Sequence, residues 1–210
     1  MTGRSWTEDT LTAYLDRLAS GAPTPGGGSA ACVAGALGAS LGSMVVAVAR
    51  RKGGAGDWAG FDSAFRSLGQ SFLRLAEADE AAFTGVMAAL RLPKDDPSRP
   101  ARLEQALKEA AAVPLQAAEE AVQLLRRLES LLPYASVSIV SDVGVAAHLA
   151  LAALRSSLLN VDVNLRAIQD EHRRAQLADE RRANEQSGVS IHDRIARVTS
   201  VRLAADSRAG

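Results

Sequence analysis

The chain has 210 residues, 47% of them apolar but only 4% aromatic, and its 24 Lys and Arg are balanced by 24 Asp and Glu. That balance excludes the basic excess with which a nucleic-acid binder neutralises phosphates. A single cysteine, Cys32, excludes an internal disulfide and suits a reducing cytoplasm.

The length suits one domain over residues 1–210, and alanine, which loses no side-chain entropy in a helix, dominates the composition. The opening MTGRSWTEDT carries acids and lacks an apolar core, so no signal peptide is expected. Ser5-Trp6-Thr7-Glu8 has the form of a capping box, and Leu11, Tyr14, Leu15 and Leu18 then recur on one helical face until Gly21 and Pro23. A second helix is expected from Gly28 or Ser29 to Arg51, with Ala31, Gly35, Gly38, Ala39 and Gly42 admitting another backbone closely. Its uncharged run Ala30–Ala49 is long enough to cross a bilayer, but Ala, Gly and Ser gain little from lipid, so a buried helix of a soluble protein is expected. A third helix follows from about Asp57 to Leu92, with Phe61, Phe65, Leu68, Phe72, Leu75, Phe83, Met87 and Leu90 along one stripe.

After the polar loop PKDDPSRP, a fourth helix carries Leu103, Leu107, Val122, Leu125 and Leu128, with Pro114 expected to kink it and Pro133 to end it. A fifth begins around Ser141 and continues past Leu165. The charged tail, 168–210, reads as a solvated helix broken at Ser187-Gly188 and a shorter one after it. No strand alternation is present, and the fold class is all-α: a single-domain, up-and-down helical bundle.

The run GGGSAA, Gly26 to Ala31, formally satisfies a dinucleotide fingerprint. That chemistry needs a preceding strand and a ribose-binding acid about 20 residues on; here a helix precedes and no acid follows. A P-loop lacks its Lys-Ser/Thr pair, and Ser29 as a hydrolase nucleophile lacks the strand-turn-helix elbow and a histidine partner. What remains is a glycine turn at a helix N-terminus, able to offer unpaired N–H groups to a carboxylate or a ring carbonyl. A tight turn capped by Ser29 is the alternative.

Asp79 stands seven residues after Phe72 on the third helix's apolar stripe, where burial without a cation would raise its pKa and fit it for proton transfer. A structural ion pair is the alternative. Glu77 and Glu80 fall off the stripe and are expected in solvent. Asp142 faces the core if helical, although Ser141 or Asp142 serves equally as a cap. Asn160 and Asn164 form an i, i+4 pair whose amides both donate and accept, suited to a heterocycle or to buried backbone groups. His148 reads as packed or surface. No His, Cys, Asp or Glu spacing suggests a metal site.

The ordered set PGGGS at Pro25–Ser29, GALGASLGSMV, EADEAAF at Glu77–Phe83, M-x-A-x-R-L-P-K ending at Lys94, AAVPL at Ala111–Leu115, SDVGVAA at Ser141–Ala147 and NVDVNL at Asn160–Leu165 resembles the cyclodeaminase/cyclohydrolase family of folate one-carbon enzymes. The resemblance spans roughly Trp6 to Leu165. It departs where the family carries Gly-Asn, here Ala135 and Ser136, where a small Gly-Ala pair becomes Ser156-Ser157, and where Arg51 replaces the glycine before Lys52. It implies a cytoplasmic homodimer, without nucleic-acid or membrane partners, that binds a tetrahydrofolate derivative as substrate and uses no metal or other cofactor. The implied reaction is methenyltetrahydrofolate cyclohydrolysis, with formimidoyltetrahydrofolate cyclodeamination as the alternative and a non-catalytic folate-binding or scaffolding dimer as a further one. The absence of a fused formimidoyltransferase domain leans toward the cyclohydrolase. Asp79 and Asp142 are the expected catalytic pair; Pro25, Gly26, Gly27, Gly28, Ser29, Ser141, Asn160 and Asn164 are expected to line the substrate site, and Lys52 to meet the folate glutamate tail.

Overall fold

A computed structural model describes residues 10–53 and 56–206, and among these every regular element is helical. The helices are α1 (Leu11–Ala19), α2 (Gly27–Arg51), α3 (Trp58–Arg91), α4 (Arg99–Leu131), α5 (Val137–Leu165) and α6 (Glu171–Asp206), with a 3-10 turn, Leu132–Tyr134, between α4 and α5. The capping box at Ser5–Glu8 lies outside the described residues. The start of α1 is held instead by Thr10, whose Oγ1 accepts from the Ala13 N–H at 3.2 Å. Of the expected α1 stripe only Tyr14 is buried; Leu11 is 64% and Leu15 50% exposed.

Helices α2 to α5 close a ring in which α2 meets α3 and α5, and α4 meets the same two from the other side. Sequence chemistry explains the register of the α2–α3 pair. A Cβ built on Gly42 would lie 2.6 Å from the Phe65 ring, and one on Gly35 would lie 2.6 Å from the Phe72 ring. Real Cβ atoms do not approach so closely, so both rings, fully buried, occupy the space that side chains on α2 would fill. Two contacts one heptad apart on each helix fix the antiparallel register. Across the ring, Leu124, Leu125 and Leu128 of α4 and Val140, Val143 and Leu154 of α5 complete the core.

Two expectations are corrected. The fifth helix begins at Val137 with Ser136 as N-cap, so Ser141 and Asp142 lie inside it and cap nothing. Nor is the tail a solvated helix broken at Gly188: α6 is continuous, and Leu177, Gly188, Ile191, His192, Ile195 and Thr199 are buried against α4 and α5. A Cβ at Gly188 would meet Leu154 Cδ2 at 2.2 Å; the glycine is the point of closest approach, not a turn. α2 and α5 are long and apolar enough to cross a membrane, and half of each apolar window is buried within the bundle.

Gly35→Val is expected to lower stability by about 1–3 kcal/mol, the usual cost of overpacking a filled core. Phe72→Leu in the same chain should recover part of it. Urea denaturation of the wild type and the two variants tests this, and an unshifted Gly35→Val midpoint would contradict the close approach.

Candidate functional site

The turn after α1 brings the chain through a cis Thr24–Pro25 peptide to Gly26, the N-cap of α2. Glycine has no side chain with which to cap, and no side-chain cap is present on Gly26. The cap comes from another helix. Asp79 of α3 accepts from the backbone N–H of Ser29, and its three carboxyl atoms lie 2.3–2.4 Å from where a Gly28 Cβ would stand. This is the third rung of the series begun by Phe65 and Phe72, now filled by an acid. The N–H groups expected to be open are thus partly taken: Ser29 is committed to Asp79, while Gly27 and Gly28 have no acceptor among the described residues.

Burial pushes the half-buried Asp79 carboxyl above its ordinary value, and the Ser29 N–H offsets part of the rise. No ion pair to Asp79 occurs among the described residues. Behind it, Tyr14 Oη and Ser29 Oγ lie 3.3 Å apart and buried. Cys32, buried beside them, has its thiol pushed up to about 12 by burial first and by Asp79 second, so it stays protonated and unreactive. Glu80 is not solvated as expected: its carboxyl is raised by burial, with Arg17 at 3.8 Å drawing it back. Tyr14 read as ordinary packing, Glu80 as surface and Cys32 only as a lone thiol, so their place beside the site was missed.

In front of Asp79 opens a cleft of about 530 Å³, in the range that holds small molecules. Its walls are the Gly26–Gly28 backbone, Phe83, Val86, Met87 and Leu90 of α3, Leu107 and Ala110 of α4, and Asn160, Val163 and Asn164 of α5. Asp79 is the one ionisable side chain among the lining residues. Pro25 and Ser29 are buried just behind this wall. Asn160 Nδ2 donates to the Ser156 carbonyl at 2.9 Å, and Asn164 Nδ2 to the carbonyls of Ala110 and Asn160 at 2.8 and 3.0 Å.

The remaining expected residues lie elsewhere. Lys52 follows the far end of α2, about 37 Å along its axis from the glycine turn. Its Nζ donates to Ser136 Oγ at 2.8 Å and Ser138 Oγ at 2.9 Å. Ser136, standing where the resemblance leads one to expect an asparagine, therefore joins the α2 end to the α5 start. Half-buried Asp142 and exposed Ser141 sit one turn further on, about 27 Å along α5 from Asn160. Within one subunit Asp79 and Asp142 are not paired. Arg202 of α6 braces this end by donating to the carbonyls of Leu132, at 2.8 Å, and Ala135. His148 is exposed, and its Nδ1 lies 2.9 Å from His192 Nε2. No cluster of three or more His, Cys, Asp or Glu side chains suited to a metal occurs among the described residues.

The fold is an all-helical bundle with a cleft of small-molecule size and one half-buried acid in its lining. Residues 10–183 match the family model described as Formiminotransferase-cyclodeaminase, and the chain belongs to that family. It is 36% identical over 170 residues to the methenyltetrahydrofolate cyclohydrolase of Methylorubrum extorquens, covering 77% of this chain and 82% of that one. It is 33% identical over 181 residues to the formimidoyltransferase-cyclodeaminase of Rattus norvegicus, covering 80% of this chain but 32% of that longer protein. The solved structure of formiminotetrahydrofolate cyclodeaminase from Thermotoga maritima superposes with a TM-score of 0.86 at 29% identity, covering 92% of this chain and 97% of that one.

An acid whose folded-state pKa exceeds its unfolded value supports the fold most fully when protonated, below about pH 4, and that support is lost as pH rises through the folded value. Asp79→Asn keeps an oxygen for the Ser29 N–H and removes the charge. Its stability relative to the wild type is therefore expected to improve steadily as pH rises through the raised Asp79 range, the two converging in acid. Urea melts of both proteins from about pH 4 to 8 check the sign.

Proposed function

We propose that the protein is a cytoplasmic methenyltetrahydrofolate cyclohydrolase, converting 5,10-methenyltetrahydrofolate and water to 10-formyltetrahydrofolate. The observation that carries this reading is Asp79, the single ionisable group in an otherwise apolar and amide-lined cleft, held beside a glycine turn. The methenyl bridge is a cationic amidinium carbon. A carboxylate facing it balances that charge and takes a proton from water as the C–O bond forms. The new hydroxyl's proton then passes to N5 as the C–N5 bond breaks, so one proton in all leaves to solvent. This sequence calls for no metal or redox group, and none is proposed. The similarity to the Methylorubrum cyclohydrolase over most of both chains supports the choice.

Cyclodeamination is the second reading, favoured by the close structural likeness to the Thermotoga protein. There the aryl amine N10 attacks the formimino carbon, and Asp79 would hand its proton to the departing ammonia.

We further propose a homodimer. α2 and α5 leave apolar side chains uncovered along the bundle's flank, including Leu37, Met44 and Val145, with Leu159 66% exposed. Such a face calls for a partner, and a second copy can cover it in the water-soluble assembly proposed here, which involves neither membrane nor nucleic acid. A two-fold axis across the helices would set Lys52, Ser141 and Asp142 of one subunit beside the glycine turn of the other, assembling the aspartate pair between subunits.

The absorbance of 5,10-methenyltetrahydrofolate, followed with purified protein, is expected to fall far faster than in buffer. Ammonia release from the formimino substrate is the competing outcome, and reduced-folate binding without turnover would replace the enzyme with a folate-binding scaffold. Asp79→Asn should lower the rate by about 10²–10⁴. Equal mixtures of Asp79→Asn and Asp142→Asn subunits, allowed to exchange, should recover about a quarter of wild-type activity if sites are shared between subunits, and essentially none otherwise.

A further inference from the structure

Proline has no N–H, so Pro114, inside α4, leaves the carbonyl of Ala110 without the helical donor four residues on. Ala110 lines the cleft, where an unmatched carbonyl is costly. The missing donor comes from α5: Asn164 Nδ2 reaches the Ala110 oxygen at 2.8 Å and gives its other hydrogen to the Asn160 carbonyl at 3.0 Å. Both amide hydrogens of Asn164 are thereby spent. Turning the amide over would place its oxygen against two carbonyl oxygens. Asn160 is committed in the same sense, its Nδ2 bonded to the Ser156 carbonyl. No described residue donates to the Oδ1 of either asparagine, and both residues line the cleft.

We propose that Pro114 is a positioning residue: by deleting one N–H from α4 it locks Asn164, so that this wall of the cleft offers amide oxygens as acceptors and reads a donor edge of the ligand. The ligand class this selects is a heterocycle with adjacent amino and ring N–H groups. The 2-amino and ring N–H edge of a reduced pterin qualifies, and the pterin's identity rests on the folate reading above. The Pro114–Asn164 linkage does not depend on that reading.

Two measurements test the two halves separately. In the wild-type background Asn164→Leu strips the Ala110 carbonyl of its donor and is expected to lower the urea midpoint clearly. In the Pro114→Ala background the restored helical N–H covers that carbonyl, and Asn164→Leu should shift the midpoint much less. Equal shifts in the two backgrounds overturn the linkage.

The ligand half is read by calorimetry with 5-formyltetrahydrofolate and its 2-desamino-2-methyl analogue. The wild type is expected to prefer the amino compound by roughly tenfold, and Pro114→Ala, whose Asn164 is free to turn, to lose most of that preference. Undiminished preference in Pro114→Ala overturns the positioning role. Equal binding of both compounds by the wild type overturns the donor-edge assignment alone. Binding of neither compound overturns that assignment together with the folate reading, while the stability cycle still judges the link between Pro114 and Asn164.

Discussion

The structure depends on how closely α2 and α3 approach. Three α2 positions without side chains, Gly42, Gly35 and Gly28, face Phe65, Phe72 and Asp79 in turn, each step a heptad along both helices. Two rungs are aromatic and lie in the core. The third lies where α2 begins, with backbone N–H groups to offer, and it holds a carboxylate. The packing that fixes the register of the core thus also fixes the acid, on rigid elements rather than on a loop. Sliding α3 against α2 to move Asp79 would have to displace two fully buried rings.

That placement has an electrostatic cost which the fold only partly offsets. The Ser29 N–H stabilises the charged form of Asp79, and no cation completes the compensation among the described residues. Glu80, next in sequence, is raised by burial and adds repulsion between the two acids. An acid kept costly to ionise is suited to exchange protons, and active sites hold strain of this kind at the expense of stability. The surrounding bundle, with fully buried leucines at 124, 125, 128 and 131, supplies the margin.

Much of this was legible in the sequence, because helices announce themselves by period and punctuation. Asp79 could be found since it breaks an apolar stripe seven residues after Phe72, and the amide pair since i, i+4 spacing sets it on one face. The failures have physical causes too. A glycine has the same letter whether it turns a chain or admits a neighbour, so Gly188 read as a break although Leu154 occupies the space its side chain would need. In ASVSIVSD several serines could cap a helix, and the choice of Ser136 over Ser141 appears only with the tertiary structure. That Lys52 ends on Ser136 and Ser138, or that Asn164 serves a carbonyl on α4, is a contact across helices that no local period encodes. That Asp142 lies far along α5 from the cleft within one chain is equally invisible in the sequence, because a helical face does not say which end of a long bundle it occupies.

The glycine run looks like a phosphate site in sequence, and the structure sets a carboxylate against it. A helix N-terminus attracts anions only while its amides and its field are unspent. Here an internal carboxylate already sits on that end of α2, so an incoming phosphate would meet Asp79 at the place where a P-loop offers a lysine. The opposite wall spends amide N–H groups of Asn160 and Asn164 on backbone carbonyls, and the lining contains no cationic side chain. The cleft therefore sets one acid beside the open N–H groups of Gly27 and Gly28, between apolar walls that strengthen its polar interactions by excluding water. Such a lining suits the flat, cationic, N–H-bearing ring proposed above better than it suits a phosphate. The same glycines that resemble a nucleotide motif in sequence thus hold, once Asp79 is placed on them, an acid where a nucleotide site holds a lysine.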